Sequence, residues 1–232
     1  MHRKMLTSFI VVLLYGFFLS GTSNAALTTI GTANYGANEY NLIWDNDNNG
    51  QSVIWLDYTH SKADWSSQRQ WATTLDQALT FNIDPMYNVT WLGGWRLPNA
   101  DNQGGTGTDS GYNILASEIG HLYYVELLNL GYVALDGTYP QPGWGLNNIG
   151  DFNELEASLY WFGTESIGDS DYGWKFNMNW GGLDVFPKTN EIKAMALRSG
   201  DVSIVPIPGS VWLLFFGVIG LIGLRRNHEN SH

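Results

Sequence analysis

The chain contains no cysteine. That absence excludes disulfides, thiolate metal sites, thiol nucleophiles and lipid acylation of a cysteine. Basic residues are scarce too: 11 Lys+Arg stand against 22 Asp+Glu in 232 residues. Between Ala26 and Val205 the imbalance sharpens to seven cations against 21 carboxylates, a formal charge of −14. A surface of that sign repels phosphate backbones, so no nucleic-acid partner is expected, and it suits extracytoplasmic surroundings and cations. No G-x-S-x-G elbow, P-loop or dinucleotide fingerprint occurs, and no segment repeats at a fixed period. Aromatic residues are plentiful, with 11 Trp, 12 Tyr and 10 Phe, enough to fill a large core without cross-links. The 27 glycines imply a loop-rich build.

Both ends are apolar. His2, Arg3 and Lys4 precede the stretch Met5–Ser20, and Ser23-Asn24-Ala25 supplies small residues. This pattern predicts a signal peptide over 1–25, cut after Ala25 by signal peptidase. At the other end Val205-Pro206-Ile207-Pro208 leads into an uncharged run, Val211–Leu224, followed by Arg225-Arg226. As a helix its 14 residues reach about 21 Å, short of the roughly 30 Å of a comfortable span. The predicted transmembrane helix over 209–224 is therefore a weak lasting anchor. Its basic flank would stay cytoplasmic, leaving the body outside.

Between these ends, Tyr40–Trp44 and Val53–Leu56 flank an Asp/Asn/Gly cluster and predict a hairpin. Trp71, Leu75 and Leu79 fall four apart, and Asp64 or Ser66 can cap, which predicts a helix from about Ser66 to Leu79. A second helix is expected where Ile114 or Leu115, Ile119, Leu122 and Glu126 or Leu127 keep helical spacing, with Gly131 as its stop. Strands are expected at "LYWFGTES", at "WKFNMNW" with its strict alternation, and over Ile192–Leu197. Hairpin, two helices and late strands together predict an α+β domain over 26–203 with a small antiparallel sheet.

Three blocks, "GGWRLP" (Gly93–Pro98), "YWFGTES" (Tyr160–Ser166) and "AMALRSGD" (Ala194–Asp201), resemble the signature blocks of the Lcl C-terminal-domain family of bacterial extracellular domains. "GTDSGYN", "SEIGHLYYVELLNLG" and "PQPGWGLNN" resemble a subgroup that carries a C-terminal sorting signal. The resemblance implies a C-type-lectin-like fold for the body, framed by an N-terminal signal helix and a C-terminal sorting helix. Val-Pro-x-Pro, a short apolar helix and Arg-Arg resemble the PEP-CTERM sorting signal, here over 204–228, with Ile207 where Glu is commonest. Pro206, Pro208, Arg225 and Arg226 are its marker residues. It implies removal by an exosortase-type transpeptidase and delivery to the surface or matrix of a Gram-negative cell. Arg96 and Arg198 recur in the family pattern, but flanking core residues favour a structural role, with each guanidinium paired to carbonyls or a carboxylate.

Asp45, Asp47, Asn49 and Gly50 match the first positions of a D-x-[DN]-x-[DN]-G calcium loop. The closing position holds Leu56, with Asp57 one place later, so calcium would rest on Asp45, Asp47, Asn49 and Asp57. A plain hairpin turn explains the same residues. Glu118 and His121 form a single E-x-x-H pair, where carboxylate metal bundles need two. Trp144 and Trp180 lie in glycine-rich loops among amides and carboxylates; they could stack on sugar rings, or fill the core of a loop-rich domain that has no disulfides. The sequence thus points to an exported, non-catalytic domain that associates with extracellular polysaccharide. The alternative is a carboxylate-dependent hydrolase of envelope or matrix polysaccharide.

Overall fold

The computed structural model describes residues 27–100 and 110–206. The predicted signal peptide with Ala25, the apolar run over 209–224, and Pro208, Arg225 and Arg226 lie outside the described residues; Pro206 lies within them, exposed. No helix among the described residues is long and apolar enough to cross a membrane.

The expected α+β, C-type-lectin-like fold is not what forms. The described residues are mostly β, 49% strand against 13% helix, with nine strands in one large sheet and two short helices. The strands are β1 (Leu27–Tyr35), β2 (Asn38–Asn48), β3 (Gln51–Ala63), β4 (Leu79–Ile83), β5 (Tyr87–Arg96), β6 (Leu159–Glu165), β7 (Tyr172–Asn177), β8 (Gly182–Pro187) and β9 (Ile192–Ile204). Helix α1 spans Trp65–Ala78 and α2 spans Glu118–His121. The order across the sheet is β4-β1-β2-β3-β9-β6-β7-β8. One edge of β9 pairs antiparallel with β3; its other edge meets β6 in parallel at Lys193 and β5 antiparallel over Leu197–Ile204.

Residues alternate between the two faces of a strand, so runs apolar at every position are buried on both sides. Leu42, Ile54, Leu56, Trp161, Ala194 and Ala196 face α1, which contributes Trp65, Trp71, Ala72 and Leu75. Their neighbours Ile43, Val53, Trp55, Phe162, Met195 and Leu197 pack under the irregular chain around α2, against Ile119, Leu122, Tyr123 and Leu127. A helix thus covers one face, and looped chain covers the other.

Helix α1 lies within a residue of its expected bounds. Asp64 caps it, accepting from the Ser67 N–H at 2.9 Å, and burial follows the apolar period. The second expected helix is cut to one turn plus a π turn, Leu122–Glu126, closed by Leu127 N–H donating to the Leu122 carbonyl at 2.9 Å. Extension backwards is blocked because the chain at Ile114 crosses Gly120, where even a Cβ would lie 2.1 Å from the Ile114 carbonyl oxygen. Leu128, at φ 53°, turns the chain away at the other end.

Strands β1, β4, β5 and β8 have no counterpart in the sequence reading, because Thr, Asn and Gly interrupt the apolar alternation. In β5 the Gly93-Gly94 pair is a bulge rather than a loop: the register against β9 slips between Leu92 and Arg96, with Gly93 at φ 70°. The three blocks of the family resemblance meet at the sheet centre. Arg96 pairs with Leu197, Tyr160 with Lys193, and Gly163 N–H donates to the Pro98 carbonyl. Arg96 makes a two-pronged bond to Glu118, both contacts 2.7 Å, and donates to the Leu97 carbonyl. Arg198 pairs with Asp76 at 3.0 Å and lies over the Trp91 ring. Both arginines thus have the partners expected of structural ones.

Candidate functional site

At the β7–β8 turn the alternating strand runs out. Trp174, Phe176 and Met178 point into the core, while Trp180 is 44% exposed. Asn177 shapes this turn: its side-chain oxygen accepts from the N–H groups of Asn179 and Trp180 at 3.0 and 3.2 Å. Gly181 follows at φ 73°, packed so closely that a Cβ would stand 2.4 Å from the Tyr124 hydroxyl, and only glycine fits there.

The chain from Leu127 to Asn148 is laid beside this turn by side chains that bond to backbone. Asn129 accepts from the Asn147 and Asn148 N–H groups, both at 2.9 Å, and donates to the Asn148 carbonyl at 2.7 Å. Tyr124 donates to the Gly181 carbonyl at 2.6 Å, and burial pushes its phenol up to about 12. Tyr132 N–H donates to the Trp180 carbonyl at 2.7 Å, and its own carbonyl accepts from Gln141 N–H.

These constraints make Tyr132 the hub of an aromatic cluster. Its ring stacks on Trp180 with centroids 5.5 Å apart and planes at 25°, and meets Trp144 edge-on at 5.1 Å. Tyr112 and Tyr139 approach it at 6.3 and 6.4 Å. Trp144 and Trp180, flagged separately in the sequence, are therefore brought into one cluster. Beside it opens a cavity of about 350 Å³ lined by Tyr112, Lys175, Asn177, Trp180, Gly182 and Asp184, within the usual size of small-ligand pockets. Lys175 is mostly buried, which lowers its pKa, while Asp184 at 3.9 Å pulls it back up. An aromatic face beside a cation, a carboxylate and an amide can stack on a sugar ring and bond its hydroxyls.

The calcium candidates are not gathered. Asn49 (φ 53°) and Gly50 (φ 80°) form the two-residue turn between β2 and β3, the geometry that favours Asn-Gly. Asp47 accepts from the Gly50 N–H, and Asn49 reaches the Ala116 carbonyl. Asp57 is spent on the Asn153 and Glu154 N–H groups at 2.9 and 3.0 Å. Asp45 is fully buried and accepts from Asn48 at 2.8 Å and from the Trp55 indole at 3.2 Å. Among the described residues no three His, Asp or Glu side chains converge as a metal site.

Asp45 belongs instead to a buried polar cluster with His121 and Glu126, which the π turn sets on one side of the chain. His121 Nε2 lies 3.3 Å from Glu126, whose side chain is 1% exposed. Burial, helped by the charge of Glu126, raises Asp45 to about 6 against the opposing Asn48 and Trp55 bonds and His121. The E-x-x-H pair is divided: Glu118 serves Arg96 and the Asn99 N–H, while His121 turns to Glu126 and Asn49.

Sequence reasoning missed Tyr132, Tyr112, Tyr139, Lys175 and Asp184. The signal for Lys175 was present, since it sits on the outward phase of the β7 alternation. Tyr132 had none, because its role depends on a hairpin turn almost fifty residues away. No known protein family, curated protein or solved structure matches the chain.

Proposed function

We propose that this domain is an exported, non-catalytic module that binds saccharide at the cell surface or in the extracellular matrix through the Trp180–Tyr132 stack. The observation that carries the reading is an exposed indole, held flat against a second ring, on the rim of a polar cavity. Backbone and side-chain bonds fix both rings in advance, so little ordering cost falls on binding. Glycosidase chemistry needs two carboxylates flanking the bond. Asp184 alone represents that class among the described residues lining this cavity, which favours binding over hydrolysis. The leader and tail patterns support passage through signal peptidase and an exosortase-type transpeptidase, with membrane attachment of the precursor through 209–224.

The test is affinity of the purified protein for the source cell's own exopolysaccharide, with Trp180→Ala beside the wild type. About tenfold weaker binding is expected, equivalent to about 1.4 kcal/mol, with the fold intact by circular dichroism. Equal binding by the variant, or release of reducing ends from the polymer, would sink the reading. Intact mass of the surface-delivered protein checks the sorting step: retention of Arg225 and Arg226 would contradict it.

A further inference from the structure

A second cavity, of about 440 Å³, opens on the α1 side of the sheet, lined by Arg69, Gln70 and Thr73 from the helix, Arg96, Leu97 and Asn99 from the end of β5 and beyond, and Gly163 from β6. Among the described residues no carboxylate lines it, in a body whose acids outnumber its cations three to one. Four described acids on these elements are already engaged. Glu118 holds Arg96, Asp76 holds Arg198, Glu165 holds Lys188, and Asp64 caps α1.

Of the seven cations in the body, five are in ion pairs: Arg96, Lys175, Lys188, Lys193 and Arg198. Arg69 and Lys62 have no carboxylate partner among the described residues. The Arg69 guanidinium instead lies over the Trp65 ring, 4.4 Å from its centroid, and is thereby oriented while its N–H groups stay available. On the other wall, the bond to Glu118 locks the plane of Arg96, whose side chain is 31% exposed.

We infer that this cavity binds the carboxylate of an acidic sugar, a uronate unit within a polysaccharide. The planar fork of Arg69 matches a carboxylate in two-pronged geometry. Gln70 and Asn99 supply amides for ring hydroxyls, Leu97 an apolar contact, and Gly163 a wall without a side chain. The inference extends the saccharide reading to an acidic ligand, at a site on other elements, so the two can fail separately.

The experiment titrates full-length protein with an oligomer of glucuronic acid, its methyl ester, an oligomer of glucose as the neutral saccharide, and the same glucose oligomer carrying sulfate esters. The acid is expected to bind about tenfold more tightly than its ester. Arg69→Gln, an exposed position whose loss leaves the core intact, should remove that difference, and Arg69→Lys should restore only part of it. Trp180→Ala should leave the acid-over-ester preference in place, while Arg69→Gln should leave neutral-saccharide binding unchanged. The inference is overturned if acid and ester bind alike, if Arg69→Gln keeps the preference, or if the sulfated oligomer binds as tightly as the acid, because the pocket would then sense charge without selecting a carboxylate.

Discussion

The two coverings of the sheet are built on different principles. On one face α1 presents a periodic apolar stripe, and its single buried polar side chain, Gln68, is fully used. It donates to the Ser61 and Ile192 carbonyls and contacts His60. On the other face, irregular chain satisfies its backbone through side chains: Asn129, Asn148, Tyr123 and Tyr124 all bond to main-chain groups. That looped layer carries both the aromatic cluster and the buried Asp45–His121–Glu126 group. The lesson is that regular packing leaves few polar groups inside the fold, while hydrogen-bonded loops can hold buried side chains in unusual settings.

The contrast can be tested from both sides. Trp161→Ala empties a fully buried site under α1 and should cost about 4 kcal/mol, read as a fall in the denaturation midpoint with unchanged slope. A loss below about 1 kcal/mol would mean the helix-covered face is not the main source of stability.

On the looped face the next effect is electrostatic. Asp45 rises to about 6 in the folded protein from an ordinary 3.8. The folded state therefore binds the proton more tightly, so this group's contribution to stability grows as pH falls through 6 towards 4. Above 6 the charged form costs about 3 kcal/mol. Asp45→Asn keeps an acceptor for Trp55 and removes the charge. Its stability relative to wild type should be about 3 kcal/mol higher at pH 8 and level near pH 4. A pH-independent difference between the two proteins would show that Asp45 is not an uncompensated buried charge.

The smallest effect separates loop from core. Asn129→Ala strands two N–H groups and one carbonyl, and should cost about 2 kcal/mol. Unlike Trp161→Ala in its folded population, it should also weaken saccharide binding, because Tyr132 and Trp144 lose their spacing. Wild-type affinity in this variant would show that the aromatic cluster stands without the asparagine network.

How much could be read in the sequence follows from the same division. Helix α1, the β2–β3 hairpin and β7 were legible because period, cap and turn residues agree with burial there. The π turn was not, because its apolar spacing imitates a helix and only the crossing at Gly120 forbids one. Strand β1 was hidden by Gly31, whose φ of 147° and lack of room beside the Asn82 carbonyl mark a bulge. Trp144 and Trp180 stood out as aromatic residues in glycine-rich loops. The hub Tyr132, and Arg69 over the Trp65 ring, acquire meaning from tertiary neighbours, which no local pattern encodes.

Strand β9 has one more consequence. It is the last strand of the described chain and the only one that joins β3, β5 and β6. A chain made from its beginning has no central strand until residues 192–204 are available, so the β1–β4 group and the β6–β8 group must wait as separate pieces. Completion of the fold therefore waits for the last strand of the described chain. A chain truncated before Ile192 would carry two half-sheets with nothing to join them.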